Sequence, residues 1–300
     1  MAKRSDARRR WDRLVGYRLE AVGLALLFGL LRLLSLDAAS ALGGRLAGRL
    51  GPKLGASRRM RRAIARSFPD MPETERETVL AGAWENFGRT MAEYAHLDTL
   101  ARDWDRRVEM SGGEHLSALA ADGRPGIAIT GHFANWELAG MACARYGVAL
   151  TFVFREPNNP YAARRLARAR APLGGTMVPK GRVAAKGLIS AMRSGGHVGL
   201  LVDQKLNEGI PVPFLGRDAM TGTVLADLAL RFDAPVVPVR VTRLEGARFR
   251  VEALPPLVFQ RSGDQTADVA AAMAQVNALM EDWVRAAPGQ WLWQHRRWPD

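Results

Sequence analysis

The chain has 300 residues, 48% of them hydrophobic, enough to bury one sizeable core. Its single cysteine, Cys143, excludes an intramolecular disulfide and fits a reducing compartment. The formal net charge is +13, and residues 1–70 carry 16 Lys/Arg against 5 Asp/Glu, so the basic character belongs to the N-terminal segment. Such a segment suits an anionic membrane surface or an acidic protein partner. No nucleic-acid partner is expected, because no zinc-finger or RNP-type motif accompanies the charge.

Residues 1–13 form a basic tail. An apolar stretch follows from about Leu14 to Leu36, interrupted by Arg18, Glu20 and Arg32. A spanning helix needs about 20 apolar residues, so the stretch is marginal for that role. Snorkelling charges would permit a span, and an interfacial amphipathic helix fits as well. A cleaved signal peptide ending near Ala39-Ser40-Ala41 is a third possibility, although its charged leader would be long. A buried core helix is a further alternative, and an uncleaved membrane anchor is expected. Residues 41–66 read as a Gly- and Arg-rich helical region containing the cluster Arg58-Arg59-Met60-Arg61-Arg62. A turn at Ser67–Asp70 precedes a helix from near Pro72 to about Leu97, with Glu73 and Glu75 favourably placed in its first turn. Val79, Leu80, Trp84, Phe87, Met91 and Tyr94 recur at helical spacing and mark its core face.

The most informative stretch is Gly126-Ile-Ala-Ile-Thr-Gly-His132-Phe-Ala-Asn-Trp-Glu137. The apolar, β-branched run at 127–130 reads as a buried strand, Gly131 permits a tight turn, and the Ala-, Met- and Leu-rich sequence from Leu138 to Tyr146 favours helix. Residues five apart in one helix diverge, so His132 and Glu137 meet only if His132 lies in the turn and Glu137 about one turn inside the helix. The helix dipole would then help keep His132 neutral, and a carboxylate on its other ring nitrogen would fix the tautomer and stabilise the charge on protonation. His295 and Asp300 share the spacing without this context, so spacing alone is not evidence.

Leu150–Phe154 reads as a second strand, ending in Arg155 and the turn-rich loop to Asn159-Pro160, then a basic helix from Tyr161 to Arg170. An arginine at the C-terminal end of a strand suits a phosphate. A helix at Ala184–Met192 leads to a strand at Val198–Val202, followed by Asp203-Gln204 and the segment Ile210–Arg217. Thr221–Arg231 reads as helix, Pro235–Val241 and Phe249–Ala253 as strands, and Val269–Ala286 as helix. The chain closes on the aromatic run Gln290–Trp298, which fits either packing or a membrane rim and offers Arg296 and Arg297 to a phosphate. No Gly-x-Ser-x-Gly elbow, P-loop, dinucleotide fingerprint or metal-ligand cluster is legible, so neither metal nor cofactor is expected.

Gly131-His-Phe-Ala-Asn-Trp-Glu137 resembles the signature of the bacterial lipid A biosynthesis acyltransferases. The arginines before Phe68-Pro69, the Arg155 and Asn159-Pro160 loop, Asp203-Gln204 with its Pro-Phe-x-Gly segment, and the C-terminal run are similar to that family in the same order. One departure is Ala63-Ile64, where the family usually has Asn-Leu. The resemblance implies a His132/Glu137 general-base dyad and substrate-binding roles for Arg155, Asn159, Asp203, Gln204 and Arg217. For Asp203, substrate contact, support of the dyad and a simple cap all stay open. It also implies transfer of a fatty acyl chain from an acyl thioester, with acyl carrier protein the expected donor, to a hydroxyl of a phosphorylated glycolipid, the lipid A precursor. The expected location is the cytoplasmic face of a bacterial inner membrane, held by the single N-terminal anchor. An acyltransferase for another membrane lipid (a phosphatidylinositol mannoside or an ornithine lipid) and a non-catalytic lipid-binding protein are the alternatives. Alternating strands and helices after residue 120 imply an α/β fold, a mixed, largely parallel sheet flanked by helices. Residues 1–40 are expected to form tail and anchor, 41–100 a helical part and 101–300 the α/β core.

Overall fold

The computed structural model describes residues 11, 15–154, 157–179 and 182–298. Most of the expected basic tail, Arg155 and Asp300 lie outside them. The apolar N-terminal stretch folds as helix α1 (Tyr17–Arg32), which passes through a short turn into α2 (Leu36–Leu50). Sixteen residues rise about 24 Å, short of a hydrocarbon core of about 30 Å. No described helix is long and apolar enough to cross a membrane. The described residues therefore do not support the spanning form of the anchor. The charges that interrupt the stretch dock α1 on the protein instead: Arg32 pairs with Asp98 at 2.6 Å, and Glu20 accepts from Asn159 at 3.0 Å.

Helix α3 (Ala56–Ser67) and the long α4 (Glu73–Glu93) complete the N-terminal helical part. Helices α2 and α4 cross backbone to backbone at Gly43 and Gly88, where a Cβ on either would lie 2.4 or 2.2 Å from the other's carbonyl oxygen. Short helices α5 (Leu97–Arg102) and α6 (Trp104–Arg107) lead into the core.

The core sheet has seven strands in the order β1-β9-β8-β2-β5-β3-β4. These are β1 (Val108–Ser111), β2 (Gly126–Thr130), β3 (Leu150–Phe154), β4 (Thr176–Pro179), β5 (His197–Leu201), β8 (Val236–Arg243) and β9 (Phe249–Ala253). All neighbours pair parallel except β8 with β9. Alternation along the strands fills both faces. Ala128, Val237 and Val239 pack with α7 (Gly113–Ala121) and α8 (Glu137–Arg145), while Ile127, Ile129, Val198 and Val236 pack with α10 (Arg182–Arg193), α11 (Val224–Phe232) and α12 (Gln265–Ala286). Helix α9 (Pro160–Ala169) lies against α1. The expected α/β class with a largely parallel sheet holds. The sequence reading missed an antiparallel hairpin of β6 (Lys205–Phe214) and β7 (Arg217–Thr221), so Thr221 ends a strand and α11 begins at Val224. Prolines 211 and 213 masked β6, and a two-stranded ribbon tolerates them because each strand is an edge.

Candidate active site

Strand β2 delivers the chain at Thr130 into a turn at residues 131–136 in which Ala134 adopts φ 47°. The C-terminal run holds this turn: Leu292 donates its N–H to the His132 carbonyl at 3.1 Å and Ala134 donates to Gln290 O at 3.0 Å. Asn86 and Thr90 of α4 both donate to the Ala134 carbonyl. Asn135 donates to Glu93 at 2.9 Å, and Glu93 pairs with Arg243 of β8 at 2.5 Å. Glu93 and Arg243 are both buried. The paired charges are thereby compensated, and they fasten helix, turn and strand together. A side chain at Gly131 would press a Cβ to 2.7 Å from the Phe133 ring and 3.2 Å from Asp203 Oδ2.

Parallel pairing of β2 with β5 sets Thr130 opposite Leu201. Two residues beyond each lie His132 and Asp203. The Asp203 carboxylate is 1% exposed and accepts three hydrogen bonds at 2.8 Å each. Oδ1 faces His132 Nδ1, and Oδ2 accepts from the His132 backbone N–H and from Trp291 Nε1. Burial by itself would raise the Asp203 carboxyl, but the charge and hydrogen bonds of His132 outweigh it and hold the group well below the usual carboxylate range. An ionised Asp203 can only accept, so Nδ1 carries a proton and, in the neutral ring, the lone pair of His132 lies on Nε2. The Gln204 amide nitrogen sits 3.3 Å from Nε2, and the Trp136 ring packs edge-on at 5.0 Å. His132 is 6% exposed. The geometry is that of a general base with an orienting carboxylate.

This corrects the expected dyad geometry. Glu137 is the first residue of α8, not one turn inside it, and the carboxylate on the other nitrogen of His132 is Asp203. Glu137 faces away, to Arg170 at 2.6 Å and to the Tyr94 hydroxyl. Burial first, then the neighbouring Glu137, pushes Tyr94 well above its usual value, so it stays a donor. The positive end of α8 favours the Glu137 carboxylate as well.

Asn159 is 2% exposed and fully occupied. Its oxygen caps α9 through the N–H groups of Tyr161 and Ala162, and its amide donates to Tyr17 O and Glu20, so it tethers α9 to α1. Arg155 lies outside the described residues. Arg217 takes no part in the His132 hydrogen bonds, donating to Ser67 and stacking 4.0 Å over Trp298. The C-terminal aromatics are buried core, which removes the membrane-rim reading: Trp291, Trp293 and Trp298 pack on one another and on Phe214. The two terminal nitrogens of Arg297 donate to Thr221, Asn277 and Met220 O. Sequence reading missed Tyr94, Arg170, Trp291 and Arg243. Each stood in an apolar stripe, a basic helix, an aromatic run or a strand whose bland explanation sufficed.

Two cavities flank the site. A groove of about 1040 Å³ opens between α1 and α9, with Val22, Phe28 and Tyr94 on its walls and Arg18, Arg164 and Arg168 at its margin. A slot of about 60 Å³ lies between α8 and the sheet, lined by Trp136, Gly140, Cys143 and Phe152. Burial pushes the Cys143 thiol up to about 12, which leaves it inert as a nucleophile.

Residues 9–300 match the model of the family described as bacterial lipid A biosynthesis acyltransferase. Among curated relatives, a phosphatidylinositol mannoside acyltransferase of Mycobacterium tuberculosis is 28% identical over 254 residues, 79% of this chain and 78% of that protein. The lipid A biosynthesis lauroyltransferase of Escherichia coli K12 is 28% identical over 242 residues, 77% and 74% of the two chains. The palmitoleoyltransferase of the same organism is 26% identical over 267 residues, 83% of each.

Proposed function

The chain belongs to the bacterial lipid A biosynthesis acyltransferase family and is an O-acyltransferase, and from that premise we propose that it moves a fatty acyl chain from an acyl thioester to a hydroxyl of a phosphorylated glycolipid, with His132 as general base. The observation that carries this reading is the Asp203–His132 hydrogen bond at 2.8 Å, which leaves Nε2 as the free base. The acceptor hydroxyl displaces the Gln204 amide and gives its proton to Nε2. Its oxygen attacks the thioester carbonyl, and the tetrahedral intermediate expels the thiolate, which takes the proton back from His132. Asp203 keeps the tautomer and stabilises the imidazolium formed in between. Base catalysis of this kind is worth about 10²–10⁴-fold. No acyl-enzyme is needed, in keeping with the raised Cys143 thiol.

Glu137 serves the reaction indirectly, by fixing Arg170 and, with it, Tyr94, which lines the α1/α9 groove. That groove combines apolar walls with guanidinium groups, the chemistry of an anionic lipid. The acidic acyl carrier protein is the donor that the basic N-terminal part favours. The enzyme works at the cytoplasmic face of the inner membrane, resting on it rather than crossing it: Leu19, Leu26 and Leu30 of α1 are each 63% exposed and Leu33 beyond it is 82% exposed.

A second acceptor class is supported by the equal identity to the mannoside acyltransferase. The test is acyl transfer by detergent-solubilised protein from lauroyl and myristoyl carrier protein, and from the coenzyme A thioesters, to a tetra-acylated lipid A precursor and to a phosphatidylinositol mannoside. A His132→Ala control accompanies each. Transfer by wild type alone supports the reading and selects the acceptor; equal transfer by the control would overturn the base assignment.

A further inference from the structure

Helix α3 places Arg59, Arg62 and Arg66 three and four residues apart, hence on one face. That face borders an open pocket of about 100 Å³ lined also by Arg217 and by Gln294, His295 and the residues after them. Six of its eleven lining residues are arginines, and none is acidic. Among the described residues, Arg59, Arg62, Arg66 and Arg217 form no ion pair with a carboxylate, whereas the neighbouring Arg61 is paired with Glu77 at 2.6 Å. Like charges at this spacing repel, so folding concentrates positive charge here without compensating it. Arg66 and Arg217 feel one another directly.

A second observation falls at the same place. Buried polar atoms without a hydrogen-bond partner gather around this cavity: Nε of Arg217 and of Arg297, both amide atoms of Gln294 and both ring nitrogens of His295. Native proteins leave few such groups, and each one calls for a partner. The His295 ring lies 6.0 Å from the His132 ring, so one side chain separates the floor of the cavity from the catalytic base.

We infer that this cavity is the seat of a substrate phosphate, held by Arg59, Arg62, Arg66 and Arg217 with Gln294 and His295 as neutral partners. The volume of about 100 Å³ has room for a phosphate group with a water or two. Arginine forks match phosphate oxygens geometrically as well as by charge. The inference rests on the acyltransferase reading for the identity of that substrate. Two substrates supply the same chemistry, the phosphopantetheine arm of the donor and the phosphorylated sugar of the acceptor.

The test uses the full chain carrying Arg59→Gln, Arg62→Gln and Arg66→Gln together. These side chains make no ion pairs to lose, so its melting temperature in phosphate-free buffer should equal or exceed that of wild type. Titration calorimetry compares 4′-phosphopantetheine with pantetheine, and glucosamine 1-phosphate with glucosamine, on wild type, the triple variant and His132→Ala. The expected result is at least tenfold tighter binding of one phosphate-bearing probe than of its phosphate-free twin. That gain should be lost in the triple variant and kept in His132→Ala. A gain for phosphopantetheine assigns the donor, and a gain for the sugar phosphate assigns the acceptor. Equal binding of both twins of each pair, or an unchanged gain in the triple variant, overturns the inference. Because binding is read without turnover, a wild type that binds phosphate but acylates no lipid would refute the proposed reaction and leave this site standing.

Discussion

Asp203→Asn tests the proposed base most directly. Three N–H groups point at the Asp203 carboxylate, two of them at Oδ2 and the Nδ1–H of His132 at Oδ1. An asparagine has one acceptor and one donor end. Turning its NH₂ toward Oδ2's partners would oppose two donors, at about 1–3 kcal/mol for each buried group left unmade. Turning it toward Nδ1 opposes only one, and His132 can relieve that conflict by moving its proton to Nε2. The second arrangement wins, and it leaves His132 in the tautomer that cannot accept the hydroxyl proton. The corresponding tautomer error in a Ser-His-Asp triad costs about 10⁴ in kcat, and general-base loss alone 10²–10⁴, or about 3–5 kcal/mol of barrier. The fold should survive, with a melting temperature a few degrees lower. Initial rates of acyl transfer at saturating substrate provide the assay, with the histidine tautomer read by ¹⁵N chemical shifts. A variant retaining more than a third of wild-type kcat would refute the orienting role of Asp203, as would a Nδ1-protonated His132 in an inactive variant.

Arg243→Met should lower stability by about 3–5 kcal/mol, because it strands the buried Glu93 carboxylate; thermal or urea unfolding measures the loss. Gly88→Ala should destabilise by about 1–3 kcal/mol, since its Cβ meets the Gly43 carbonyl and Ala47, whereas Gly23→Ala, which meets nothing, should stabilise α1 by up to about 1 kcal/mol; calorimetry of the pair checks the contrast. Burial holds His295 down at about 4 in the folded protein, so on acidification the unfolded chain binds a proton first, and stability should fall from about pH 6.5 downward, by about 2 kcal/mol at pH 5. A His295→Asn variant should lose that slope between pH 7 and 5 in melting scans. Leu26→Asp with Leu30→Asp on the exposed face of α1 should weaken partition to anionic vesicles at least tenfold while leaving activity in detergent within about twofold, each buried leucine contributing about 1.5–3 kcal/mol; vesicle sedimentation reads the difference.

The alternation of apolar strands and helices after residue 120 determined the fold class, because burial on both faces of a parallel sheet imposes those patterns locally. The strand, turn and helix around His132 were legible for the same reason: Ile127–Thr130, Gly131 and the Ala-rich run from Leu138 each declare their conformation through neighbours in sequence. The length and docking of α1 were not legible, since Arg32 and Glu20 interrupt an apolar run in either setting and only the presence of Asp98 and Asn159 makes them a docking pair. The partner of His132 belongs to the tertiary structure alone. Glu137 is near in sequence, but the start of α8 turns it to Arg170 and Tyr94. Asp203 is 71 residues away, and it reaches Nδ1 because parallel pairing sets Thr130 of β2 beside Leu201 of β5, so that the chain two residues past each strand end meets at one point. A hydrogen-bond register between strands distant in sequence leaves no local periodicity, which is why the residue types of the site could be read from the chain while their pairing was decided by the sheet.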